Sequence, residues 1–139
     1  MKISPGDLIL PGPKEIEIVH ECTILRDGGL KVKPNLDKIE SALLGVITHH
    51  SYAPDADIAL LASVLAYNFA KVHPLPDGNK RVAFLAVKMI MRLNGFAWKP
   101  RHDEAEQQVY GLAAGDSVRS QALESFAEWI RKSTSPLVE

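Results

Sequence analysis

Two stretches of the chain are apolar nearly all round. Ala56 to Lys71 has only Asp57, Ser63, Asn68 and Lys71 as clearly polar positions, and Val82 to Leu93 is relieved only by Lys88 and Arg92. A helix that is apolar on every side is buried on most sides. The pattern therefore predicts two central helices with others packed around them. Asp55 is the expected N-cap of the first, and Asn94-Gly95 the expected stop of the second. Other segments carry narrower stripes. Leu36, Ile39 and Leu43 share one face of a helix that Asn35 can cap and that should end near Gly45, with 46–53 as a connector. Lys14 to Arg26 fits two periods: Ile16, Val19 and Thr23 share a helical face, while Glu15-Ile16-Glu17-Ile18 alternates like a strand. Helix is the preferred reading, stopped by Asp27-Gly28-Gly29. Lys31-Val32-Lys33 could form one arm of a small hairpin. Asp103 to Ala114 reads as a helix ending at Gly115. A last helix opens at Ser117 or Ser120 and carries Leu123, Phe126, Ala127 and Ile130 on one face. Residues 1–13 are broken by prolines, and 133–139 is expected to fray. The fold class is all-α: a helical bundle around two buried helices, with at most a short β-hairpin flap.

Composition narrows this picture. The chain has 139 residues, which fits a single domain over 1–139. Hydrophobic residues make up 46% and charged residues 24%, an ordinary globular mixture. No apolar run reaches the roughly 18 residues needed to span a bilayer, and no signal peptide is visible, so a cytoplasmic location is expected. With Cys22 as its one cysteine, the sequence allows neither an internal disulfide nor a cysteine metal cluster. Sixteen basic residues against seventeen acidic ones give a net charge of -1, which disfavours direct nucleic-acid binding.

Polar chemistry gathers between the two apolar helices, in His73-Pro74-Leu75-Pro76-Asp77-Gly78-Asn79-Lys80-Arg81. Gly78 and Asn79 fall where the second helix should begin. The first N–H groups of a helix lack internal partners and carry partial positive charge. A glycine there leaves room for a phosphate to dock on them. Lys80 supplies a point charge and Arg81 a bidentate fork. Asp77 can hold Mg²⁺, which takes one or two carboxylates plus phosphate oxygens. His73 can accept a proton from an attacking hydroxyl. Together these are the parts of phosphoryl or nucleotidyl transfer. Residue by residue, the same stretch also reads as a turn, an N-cap and a solvated first helical turn.

This segment resembles the signature of the Fic/Doc superfamily, H-P-F-x-(D/E)-G-N-(G/K)-R, in the lysine form of the Doc (death-on-curing) toxins. Ile18 to Leu30, the stretch Ile39-Glu40-Ser41-Ala42-Leu43 and Arg92-Leu93-Asn94-Gly95 resemble further parts of Doc proteins, as does Gln108 to Ile130. The resemblance implies ATP and Mg²⁺ as cofactors. His73 would be the general base, Asp77 the metal ligand, Gly78 and Asn79 the anion hole, and Lys80 and Arg81 the phosphate grips. It also implies a toxin that phosphorylates a protein hydroxyl, a threonine of translation factor EF-Tu in Doc itself, and that is silenced by a Phd-like antitoxin. No S/T-x-x-x-E-(G/A/N) inhibitory pattern occurs in the sequence, in keeping with inhibition in trans. In AMP-transferring members a glycine stands where Lys80 is, and a second arginine where Phe84 is. Adenylyl transfer and a non-catalytic regulatory module of the same fold are the alternatives. Leu75 replaces the usual phenylalanine plug and should still anchor the loop.

Other residues read more plainly. Lys71 is expected to be a solvated helix end. The segment from Gly28 to Lys33 resembles the flap that aligns a target by strand addition. His49-His50 lacks companions at ligand spacing. His20 and His102 read as structural or exposed. Trp98 and Trp129 read as packing or partner-contact residues.

Overall fold

The computed structural model describes residues 2–136. Six helices follow one another: α1 (Pro13–Asp27), α2 (Leu36–Tyr52), α3 (Ile58–Ala70), α4 (Asn79–Leu93), α5 (His102–Ala114) and α6 (Arg119–Lys132). A 3₁₀ turn, Pro5–Asp7, precedes them. Two short strands, β1 (Phe96–Trp98) and β2 (Thr134–Pro136), pair antiparallel with Phe96 opposite Pro136 and Trp98 opposite Thr134. The all-α class holds.

The chain is organised around α3, which touches α2, α4, α5 and α6. Leu61, Val64, Leu65 and Phe69 are wholly buried, so this helix is apolar all round because neighbours surround it. Each such side chain contributes about 1.5–3 kcal/mol of transfer free energy. Helix α4 differs from expectation. Val82, Ala86, Val87 and Ile90 are buried, whereas Phe84, Leu85 and Met89 are half-buried and Lys88 is exposed. Its outer face lines an open groove, so it is a stripe helix rather than an enclosed one.

Several expected boundaries move for local reasons. The N-cap of α3 is Asp57, not Asp55: its Oδ1 accepts from Leu60 N at 3.0 Å. Asn35 caps α2 as expected, accepting from Asp37 N. That helix does not stop at Gly45 but runs to Tyr52, because its buried stripe continues through Val46 and His50. Gly45 is instead a close-approach site. A Cβ there would lie 2.8 Å from Asn68 Nδ2, which donates to the Ala42 carbonyl at 2.9 Å. His50 reaches the Ile3 carbonyl at 3.0 Å. Helix α1 is helical throughout, and Gly28, at φ +83°, closes it by donating to Ile24 O. No strand forms at Lys31-Val32-Lys33, since no second arm lies in register beside it. The small sheet lies elsewhere and recruits the tail expected to fray. Residues 134–136 pair with β1, and Trp98 Nε1 donates to Ser133 Oγ at 3.0 Å. Residues 137–139 lie outside the described residues. Trp98 packs on Phe84 and Trp129, each at 5.3 Å between ring centroids, so both tryptophans serve packing.

Candidate active site

The loop from α3 to α4 is held at both ends. At its start Lys71 is the exposed C-cap of α3, as expected, and its Nζ also donates to the Ala113 and Gly115 carbonyls at the end of α5, at 3.4 and 3.1 Å. His73 follows with an exposed side chain and φ +58°, the one non-glycine positive φ among the described residues. A left-handed residue without a glycine's freedom costs about 1–2 kcal/mol, so the surrounding loop must impose it. Pro74 and Leu75 supply that restraint by being buried, Leu75 at 4% exposure within the core. Leucine thus anchors the loop in place of the usual phenylalanine.

Asn79 completes the clamp. Its Oδ1 accepts from Leu75 N and its Nδ2 donates to Leu75 O, both at 2.9 Å. Its side chain is therefore spent on shaping the loop, and what it offers an anion is its backbone N–H. Gly78, at φ +74°, is the N-cap of α4, and its carbonyl accepts the first helical bond from Val82 N at 3.0 Å. The N–H groups of Asn79, Lys80 and Arg81 thus precede the hydrogen-bond ladder. They point out of the helix start as donors for an anion.

Asp77 stands beside these donors. Its Oδ2 accepts from Leu30 N at 3.0 Å and its Oδ1 from Gly78 N at 2.8 Å. These two N–H groups, helped by the charges of Arg81 and His20 and opposed by slight desolvation, hold its carboxyl below the usual carboxylate range. Gly29 permits the approach: a Cβ there would lie 2.7 Å from Asp77 Oδ2, and its φ of +136° suits only glycine. Arg81 also reaches the same turn. Its Nη2 donates to Gly28 O at 3.1 Å, and its Nη1 lies 3.7 Å from Asp27 Oδ2. Lys80 extends the other way, with Nζ 5.5 Å from the centre of the Tyr110 ring. Lys80 and Arg81, at the end of the motif, line a groove of about 930 Å³ between α4 and α5, whereas His73, Asp77, Gly78 and Asn79 are not among its lining residues. Phe84, Leu85 and Val109 contribute to its apolar surface, and Arg26, Lys80, Arg81 and Lys88 are its lysines and arginines.

A model of the Fic/DOC family matches residues 14–91, more than half of the chain and the whole nine-residue motif. The chain belongs to the Fic/Doc family. Members of the family are typically transferases and are often partnered with an antitoxin. A comparison with curated proteins gives no match. No helix among the described residues is long and apolar enough to cross a membrane.

The family match stops short of α5 and α6, so the far wall of the groove comes from outside it. Tyr110 and Glu106 on that wall were not singled out by the sequence, and His102 was read only as structural or exposed. Their i, i+4, i+8 spacing marks one face of α5, but nothing in the sequence says that this face looks at α4. Asp27 was read only as part of a stop signal. Its place beside Arg81 depends on how the α1 turn meets the motif.

The donor set at Asp77 suits a metal carried by phosphates. Among the described residues no three His, Cys, Asp or Glu side chains gather as a cage. One anionic carboxylate, kept ionised and oriented by two N–H groups, is what Mg²⁺ takes from protein when phosphate oxygens and water supply the rest. His49 and His50 sit at the far end of α2. Burial, with Arg119 and His50 nearby, keeps His49 below its usual value.

Proposed function

We propose that this chain is a Doc-like toxin. It transfers the γ-phosphate of ATP to a hydroxyl of a protein, a threonine of translation factor EF-Tu, and thereby blocks translation. It would act in the cytoplasm of a bacterium, encoded by host, phage or plasmid, and be restrained by a Phd-like antitoxin. The observation that carries this reading is the first turn of α4. Three N–H groups outside the helical ladder, Lys80 and Arg81 share that turn, and an oriented carboxylate precedes it. Few ligands other than a polyphosphate with its metal ion would use all of these groups.

In this reading the N–H groups of Asn79, Lys80 and Arg81 hold the oxygens of the transferred phosphoryl group. Arg81 grips a neighbouring oxygen after loosening its hold on Gly28. Asp77 would hold Mg²⁺, which when bound neutralises charge on the phosphates. His73 takes the proton from the target hydroxyl as the oxygen bonds to phosphorus and the bond to the bridging oxygen breaks, leaving ADP. The groove accommodates the nucleoside, with Tyr110 and Phe84 as apolar surfaces. Transfer of the γ-phosphate rather than AMP is supported by Lys80, a long cation in the phosphate slot. It is also supported by Phe84, which removes the arginine that AMP-transferring relatives use for the far phosphates.

ATP labelled separately at the α- and γ-phosphates, incubated with the chain and EF-Tu, tests this. Label from the γ position alone on EF-Tu is the expected result. Label from the α position makes the enzyme an adenylyltransferase. No label from either, with no ATP binding at millimolar Mg·ATP, makes the chain a non-catalytic module.

A further inference from the structure

His73 lies between two anchors. On one side Pro74 and Leu75 are buried, and on the other stands Lys71, the C-cap of α3. The two residues between the anchors have no such hold. Val72 is 65% exposed and the His73 side chain is exposed, so packing does not fix them. Yet His73 keeps a φ of +58°, a backbone state that an L residue leaves when it is free to do so. Leu75 and Asn79 hold the chain where it leaves His73. The chain entering His73 needs its own restraint, and the bonds of Lys71 supply one. Its Nζ donates to the Gly115 carbonyl at 3.1 Å and to the Ala113 carbonyl at 3.4 Å, 44 and 42 residues further along the chain. Gly115 N donates to Gly111 O at 2.8 Å, and this last turn of α5 brings both carbonyls within reach of one ammonium. A cation suits them, since they lie at the negative end of the helix dipole.

We infer that Lys71 is a positioning residue for His73: its tether to the end of α5 fixes the entry to the motif loop and thereby the direction of the imidazole. The inference rests on His73 as the base of the proposed transfer. Lys71 itself touches neither nucleotide nor target, and two of its three N–H donors are spent on the carbonyls. The tether also joins the loop to the helix that carries Tyr110, one turn before Ala113, so the base and the far wall of the groove move as one frame. A plain helix cap would steady α5 and leave His73 as it is. The two roles separate by chemistry. Arginine makes the same bonds with its fork, and a cavity of about 200 Å³ bordered by Lys71, Tyr67, Gly111 and Ser125 leaves room for the larger head. Methionine, of similar length, makes neither bond.

Steady-state transfer from γ-labelled ATP to EF-Tu is measured for Lys71→Met and Lys71→Arg, and for Lys71→Met combined with His73→Asn. Lys71→Met should lower kcat about 10- to 100-fold, the cost of a misplaced reacting group, with KM for ATP within about twofold of wild type. Lys71→Arg should restore most of the rate. On top of His73→Asn, Lys71→Met should cost nothing further, because its effect passes through the imidazole. An undiminished kcat in Lys71→Met, or an equal loss with and without His73, would overturn the inference. A second readout needs neither nucleotide nor target. The one-bond Cα–Hα coupling of His73, read by NMR, distinguishes positive from negative φ. It should keep its wild-type value in Lys71→Arg and move toward the negative-φ value in Lys71→Met. If the wild type transfers no label, the proposed reaction falls, and this coupling decides the tether by itself: an unchanged value in Lys71→Met would overturn it.

Discussion

Helix α3 has an acid and an arginine near each end, and the two pairs are built differently. At its start Asp57 receives Arg131 on both oxygens, at 2.9 and 3.0 Å, while also capping Leu60 N. Arg131 is further surrounded by Glu128 and Glu124, which with Asp57 push its pKa up. Burial works to raise the pKa of Asp57, but the hydrogen bonds from Arg131 and Leu60 outweigh it and hold the carboxyl below the usual range. Every strong donor there has an acceptor. Beyond the other end, about 20 Å away by the helix rise, Asp77 is held by backbone N–H groups and not by a cation. Arg81 meets a carbonyl and a carboxylate 3.7 Å away, and Lys80, among the described residues, only an aromatic face. The first arrangement is closed and serves stability. The second leaves charge and donors facing a groove, which is what a site for an outside anion requires.

The contrast breaks most visibly at His73. His73→Asn keeps a residue that tolerates the left-handed backbone, at an exposed position, so the melting temperature should hold. Phosphate transfer should fall by about 10²–10⁴, the usual worth of a general base. A variant that keeps its rate removes His73 from the chemistry. Asp57→Ala should act the opposite way. Loss of a cap and of a half-buried pair costs about 1–3 kcal/mol, read as a lower denaturation midpoint, with nucleotide binding unchanged.

The same pair sets a pH dependence. Because the carboxyl of Asp57 titrates lower when folded than when unfolded, its stabilisation is present above the ordinary value of 3.8 and is lost as pH falls through the lower folded value. Denaturation midpoints of wild type and Asp57→Asn should therefore converge in that acid window. Parallel curves throughout would deny the linkage. The smallest effect is expected at Asp27→Asn. Removing the carboxylate beside Arg81 should raise affinity for Mg·ATP about two- to fivefold at low salt, and less at high salt. A fall in affinity would mean that Asp27 positions the arginine rather than competing for it.

Much of this was legible in the sequence because it is periodic or local. The central helices, the Asn35 cap, the Gly28-Gly29 stop and the nine-residue motif all depend on neighbours along the chain. What was missed depends on neighbours in space. Gly45 looked like a helix stop until Asn68 was seen pressing against it. The tail looked free until β1 was found beside it. Asn79 was read for its place at the helix start, where its backbone N–H lies, but nothing along the chain showed that its side chain clamps Leu75. The wall of α5 that faces Lys80 had no signal at all, since an exposed stripe does not say what it faces.

The central claim is that the motif end is open to a nucleotide and the Asp57 end is not. Titration of the ¹⁵N-labelled chain with Mg·ATP tests it most directly. The account predicts saturable shifts at Gly78, Asn79, Lys80 and Arg81, with Asp57, Leu60 and Arg131 unmoved. Shifts centred on Asp57 and Arg131, or none at the start of α4 under saturating nucleotide, would contradict it.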